Sequence, residues 1–219
     1  MAVSQSMKRA VRRIADALGV YARRMGWWPL DFRLYFRVNE AWGHIHVTFY
    51  AYAFEGRETF ESYQAVMEFL RSRLNDDPEL FHAVGLVVQS FKNLEGRGLH
   101  SIESHSRLVK PRDLLKVAMR EVAGLLDKYA SDSGWEKNDY SILSRVEPEQ
   151  DKLRIILVSP NPEDDRRVSD LLQSRLADDP EILKSFEFSH KVPADLGPEG
   201  RHSLIKSGYK DFWTLAHAR

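Results

Sequence analysis

L-R-S-R-L-N-D-D-P-E-L at Leu70–Leu80 returns as L-Q-S-R-L-A-D-D-P-E-I at Leu172–Ile182, with 8 of 11 positions identical at an offset of 102 residues. An internal repeat of this kind sets the architecture before any single residue is interpreted. Working outward, an offset of 108 aligns Ala15, Leu18, Tyr21, Ala22, Gly26 and Trp27 with Ala123, Leu126, Tyr129, Ala130, Gly134 and Trp135. Copy one therefore carries six extra residues between about Tyr50 and Val66. Downstream, Gly98, His100 and Ser101 meet Gly200, His202 and Ser203. The chain reads as a tandem duplication, with residues 1–110 and 111–219 as two units expected to pack as one pseudo-twofold body.

Each copy opens with a helical stripe: Val11, Ile14, Ala15, Leu18, Ala22 in the first, Met119, Val122, Ala123, Leu126, Ala130 in the second. Pro111 is expected in the first turn of the second copy's helix. Strand alternation follows a Gly-Trp pair. Phe32, Leu34, Phe36 and Val38 alternate with Arg33, Tyr35 and Arg37. Ile45, Val47 and Phe49 alternate with His44, His46 and Thr48. In copy two Leu153, Ile155 and Leu157 alternate with Lys152, Arg154 and Ile156. A second helix (59–74, 164–176) and a third strand (84–91, 186–192) complete an α-β-β-α-β unit. The expected class is α+β, ferredoxin-like (split β-α-β) with antiparallel sheets. Under that plan the segment 101–109 supplies copy two with its first strand, and 203–209 returns to serve copy one.

The repeated Asp-Asp-Pro-Glu concentrates carboxylates, yet its chemistry is that of a helix restart. Asp77 and Asp179 suit N-caps, Pro78 and Pro180 the first helical position, and Glu79 and Glu181 the first turn. Arg73 and Arg175 are placed to pair with these carboxylates. In Gly98–Ile102 and Gly200–Leu204 a His precedes a Ser, and neighbours on an extended chain point to opposite faces, so the pair is poorly placed for nucleophile activation. His100 and His202 remain candidates for a ligand or enzymatic site between the repeats.

The 219 residues carry 32 Lys/Arg and 32 Asp/Glu, which removes any global attraction to polyanions. The balance is uneven: residues 1–110 hold 15 Lys/Arg against 12 Asp/Glu, and 111–219 hold 17 against 20. There is no cysteine, so no thiolate chemistry, and no metal or cofactor is expected. No apolar run suggests a signal segment or a membrane span, and a cytoplasmic location is expected.

One hairpin face is basic in both copies: Arg33, Arg37, His44 and His46 in the first, Arg145, Lys152 and Arg154 in the second. His44 and His46 could ligate zinc, but their counterparts Lys152 and Arg154 could not. Trp42–Phe49 shares Gly43, Val47 and Phe49 with the RNP1 pattern of RNA-recognition motifs, three undemanding positions from which no residue role is carried over. The sequence points to a non-enzymatic binding protein that engages a protein partner through Arg33, Tyr35, Arg37, His44 and His46, with Trp42. Single-stranded RNA or DNA on that same face is the alternative reading.

Overall fold

The computed structural model describes residues 3–56, 59–92, 106–136, 140–147, 150, 152–196 and 201–211. The chain is a mixed α+β protein that divides into two compact units, Met1–Arg112 and Asp113–Arg219.

In unit 1, α1 (Gln5–Arg24) is started by Ser4, whose hydroxyl accepts from Met7 N at 3.3 Å. It ends at Gly26, which adopts φ 74° so that Trp27 N can reach back to Ala22 O at 2.9 Å. Unit 2 repeats the device at the end of α4 (Leu114–Asp132), with Gly134 at φ 67° and Trp135 N on Ala130 O at 2.9 Å. The repeated Gly-Trp is thus a helix stop that turns an indole back toward the core. Trp27 meets Tyr21, Phe49 and Phe54 at 5.8, 5.9 and 5.3 Å.

Strands β1 (Phe32–Asn39) and β2 (His44–Ala51) form an antiparallel hairpin that pairs Phe32 with Ala51 and Asn39 with His44. Helix α2 (Thr59–Arg73) then carries the chain to a short α3 (Pro78–His82) and β3 (Val84–Gln89). Strand β3 lies directly beside β2 and parallel to it, while β4 (Arg107–Leu108) pairs antiparallel with β1, giving the order β3-β2-β1-β4. Unit 2 has the order β7-β6-β5-β8, from β5 (Ser141–Glu147), β6 (Lys152–Val158), β7 (Phe186–Lys191) and β8 (Lys210–Asp211). Its helices after α4 are α5 (Asp164–Leu176), α6 (Pro180–Lys184) and α7 (Arg201–Lys206).

This order corrects three sequence expectations. The sheets are mixed, because a helical crossover returns β3 and β7 in the same direction as the strand before it. No strand separates β2 from β3, so the β-α-β is not split. The segments expected to exchange also stay home: 107–108 pairs with β1 of unit 1, and 210–211 with β5 of unit 2, while 201–206 is helical. A fourth expectation fails for a local reason: α4 is capped by Asp113, and Pro111 lies instead over α1. A Cβ at Gly19 would sit 2.4 Å from that of Pro111, so only glycine admits the crossing.

The crossing also brings Arg112 onto Asp16. The fully buried carboxylate accepts from Arg112 N at 2.8 Å and from its guanidinium at 2.6 Å. Burial pushes the Asp16 carboxyl above the ordinary range, and the Arg112 bonds pull it back. Residues Ile14 to Ala22 are consequently buried right around α1, whereas α4 shows the usual one-sided stripe.

The Asp-Asp-Pro-Glu segments are helix restarts. Asp77 caps α3 through Leu80 N at 3.0 Å, and Asp179 caps α6 through Ile182 N at 3.3 Å. A cation that meets the first turn is Arg13 of α1, at 2.5 Å from Asp76 and 2.9 Å from Asp77.

Candidate functional site

The core of unit 1 takes Leu34, Phe36, Ile45, Val47, Phe49 and Leu86 from one face of the sheet together with Ile14, Leu18 and Leu70 of the helices. The other face carries no helix residue of that core. Its rows follow from the register: Arg33, Tyr50, Gln89; Leu108, Tyr35, Thr48, Val87; Arg37, His46, Gly85; Asn39, His44.

Arg33, Arg37, His44 and His46 are all exposed on this face, in agreement with their alternation. No acid stands in any of its rows. Among the described residues the side chains of Arg37, His44 and His46 make no hydrogen bond or ion pair. The His46 ring rests against Gly85, where an added Cβ would approach Nδ1 to 3.1 Å. Arg33 lies over the Phe91 ring at 5.9 Å. Trp42, in the 3-10 turn Glu40–Trp42 at the hairpin tip, is 75% exposed. Glu40 in that turn is engaged by Ser4 N at 2.5 Å, a bond that lowers its carboxyl pKa.

Tyr35 departs from expectation. It is only 2% exposed, set edge-on against Tyr50 at 5.9 Å, and Tyr50 in turn stacks on Phe91 at 6.2 Å. These rings are spent on one another and present no free face for a base. The apolar surface left open beside the cations comes from Val87 and Leu108.

The same face of unit 2 is not basic. Arg145 bonds Glu147, Lys152 bonds Glu187, and Arg154 reaches Glu147 at 3.4 Å and Glu187 at 3.2 Å. The Lys152 ammonium, with Arg154, holds the Glu187 carboxyl below its ordinary range, and the Glu147 hydrogen bond raises Arg145. Arg145 also faces the Tyr209 ring at 5.3 Å. The expectation of a basic face in both copies therefore fails for the second.

His202 is exposed on α7, and His100 lies outside the described residues. Among the described residues no three His, Cys, Asp or Glu side chains gather as a metal site, and no helix is long and apolar enough to cross a membrane.

One constellation was missed at the sequence level. Ser159, after β6, donates to Asp164 Oδ2 at 2.6 Å and lies 3.0 Å from His190 Nε2. Tyr129 OH and Asn161 Nδ2 both donate to Asp164 Oδ1 at 3.2 Å. Burial, then the Asp164 carboxylate, raise the Tyr129 phenol above its ordinary range. These residues resemble a hydrolytic triad in composition only. Because the serine proton is directed at Asp164, His190 Nε2 must donate to Ser159 rather than accept from it, the reverse of nucleophile activation. Both Ser159 and Asp164 are buried. The cluster is a polar core. Its only sequence signal is a set of polar residues where copy one has Ala51 and Val88.

No protein-family model, curated protein or solved structure matches this chain.

Proposed function

We propose that the protein is a non-enzymatic binding protein made of two fused copies of one α+β unit, and that unit 1 receives an acidic polypeptide segment on the sheet face opposite its helical core. The duplication is supported by the shared sequence pattern together with the same strand order and pairing directions in both units. A former pair of identical units in one chain leaves each copy free to change its surface.

The observation that carries the binding reading is charge without a partner. Among the described residues Arg37, His44 and His46 meet no acid on their own face, while Arg145, Lys152 and Arg154 of unit 2 are all ion-paired internally. An acidic segment complements that strip, and apolar side chains within it can settle on Val87, Leu108 and Trp42. Stacking of single-stranded bases is less favoured, since Tyr35 and Tyr50 are buried.

Binding of labelled Asp/Glu-rich peptides containing Leu or Phe, followed by fluorescence anisotropy, tests the reading. Affinity is expected to fall with salt and to drop at least about tenfold in the double variant Arg37→Glu, His46→Glu. The charge reversal Arg166→Glu, on an exposed helix position of unit 2, should leave it unaltered. Equal binding by the double variant, or tighter binding of oligo-U than of the acidic peptide, overturns the proposal.

A further inference from the structure

We infer that two copies of this chain join through the edge strand β7 of unit 2, paired antiparallel about a twofold axis at Ser189. This surface is separate from the acidic-peptide face of unit 1, and neither reading depends on the other.

Strand β7 ends the order β7-β6-β5-β8, so one of its sides pairs with β6 and the other with no strand among the described residues. The carbonyls of Ser185 and Lys191 accept from Leu153 N at 2.9 Å and Ser159 N at 3.2 Å, and so point toward β6. Alternation along an extended chain then turns the N–H and C=O groups of Phe186, Phe188 and His190 outward. None of those backbone groups has a hydrogen-bond partner on its outer side among the described residues. Such a row is a template for another strand.

An open edge does not by itself name an occupant. The second observation is a cavity of about 590 Å³ alongside it, lined by Ser169, Leu172 and Gln173 of α5, Leu183 of α6, and Phe186 and Phe188 of β7. No charged residue lines it. A largely apolar, uncharged cleft has the composition of an interface core.

The charges of the strand itself select a second copy. Antiparallel pairing of F-E-F-S-H-K with itself, centred on Ser189, sets Glu187 opposite Lys191 of the second copy on both sides of the axis. In that register Phe188 stands opposite His190 of the second copy. These are residues whose backbone groups point outward, so they exchange hydrogen bonds. The Glu187 side chain is 44% exposed beside Lys152 and Arg154, and Lys191 makes no ion pair among the described residues. Two four-stranded sheets become one of eight strands, with the α5 helices side by side above it. The open flank of each helix, at Ser169 and Gln173, then closes over the cavities, and the twofold axis limits the assembly to two chains.

The edge of unit 1 lacks both features. Strand β3, V-G-L-V-V-Q, has no charge with which to set a register. Arg71, which corresponds to Gln173 at the offset of 102, lies over Phe81 at 5.4 Å. Twofold pairing there would set Arg71 beside Arg71 of the second copy.

The test is sedimentation equilibrium of the full chain over a range of concentrations, with circular dichroism checking that each variant is folded. The unaltered chain is expected to dimerise in the micromolar range. Lys191→Glu and Glu187→Lys should each weaken self-association at least about tenfold by opposing like charges. An equimolar mixture of the two should regain it, since each chain supplies the sign that the other lacks. Gln173→Arg, at an exposed helix position, should also weaken it, by bringing two cations into the closed cleft. Val87→Lys, at the β3 position that corresponds to Ser189, should leave the dimer intact. A chain that stays monomeric to about 1 mM, leaving the edge to an extended segment of another protein, overturns the inference. So does a dimer insensitive to Lys191→Glu and Gln173→Arg, one that the mixture fails to restore, or one dispersed by Val87→Lys.

Discussion

In unit 1, Tyr21, Trp27, Phe49, Phe54 and Phe69 meet one another edge-on or tilted, with centroids 5.3 to 6.2 Å apart. In unit 2 the matching region keeps Tyr129 against Trp135 but fills the rest with Ser159, Asp164 and His190 in a chain of hydrogen bonds. The strand order is the same on both sides of this difference. An α+β unit of this plan is thus specified by strand alternation, the Gly-Trp stop and the Asp-Pro restart, and not by one particular core. The two cores should differ in how they fail, which gives ways to probe the contrast.

The largest effect is expected at the centre of the ring cluster. Phe49 is fully buried and touches Tyr21, Trp27, Phe32 and Phe54. Phe49→Ala should destabilise unit 1 by about 4 kcal/mol in urea unfolding, from lost burial and the cavity left behind. Its counterpart Leu157→Ala should cost about 3 kcal/mol in unit 2. A smaller loss for Phe49→Ala than for Leu157→Ala would show that the rings are not what holds unit 1 together.

Next comes the buried ion pair, which has no equivalent in unit 2, where the position of Asp16 is the exposed Gly124. Arg112→Met should cost about 3 kcal/mol at neutral pH by leaving a buried carboxylate without its partner. The pH dependence has a definite sign. The folded-state pKa of Asp16 is raised, so its stability contribution is present below the unfolded value and lost as pH rises through the folded one. Removing Arg112 raises it further, so the deficit of the variant should shrink on acidification. A deficit that grows toward low pH in matched melts would contradict the assignment.

Asp164→Ala probes the polar core and should cost about 2 kcal/mol, by orphaning the Ser159 and Tyr129 hydroxyls. Tyr129 adds an alkaline signature. Its raised pKa means that the unfolded chain ionises first, so stability is held below about pH 10 and lost above it. Part of that raise comes from the Asp164 charge, and the alkaline loss should therefore be smaller in Asp164→Ala.

How much of this was legible before folding depended on range. Period-two alternation located β1, β2 and β6 and the exposure of Arg33, Arg37, His44 and His46, because each is decided by nearest neighbours on one strand. Alternation cannot say which strand lies alongside, and the direct parallel pairing of β2 with β3 was missed. The same limit explains Tyr35: alternation gives its face, but its burial comes with Tyr50 of β2 and with Phe91, which lies beyond the end of β3. Lys152 and Arg154 looked basic until register set Glu147 and Glu187 among them. Ser159, Asp164 and His190 come from three segments of the chain, and no spacing rule joins them.

The smallest expected effect concerns the segment that the two copies share most closely. Asp77→Ala and Asp179→Ala should each cost about 1 kcal/mol, the value of an N-cap bond to Leu80 N or Ile182 N. Asp77 also receives Arg13, but at 39% exposure water screens much of that pairing and adds little to the cost. Neither change should alter acidic-peptide binding, since neither residue lies on the sheet face. If either variant abolished binding while its urea midpoint stayed unchanged, the strongest repeat would be functional, not architectural. With losses near 1 kcal/mol and binding intact, Asp-Asp-Pro-Glu is retained in both units because both must stop a crossover helix and restart the chain toward a parallel strand. The residues that differ between the copies, His44 and His46 against the ion-paired Lys152 and Arg154, are then free to carry the binding chemistry.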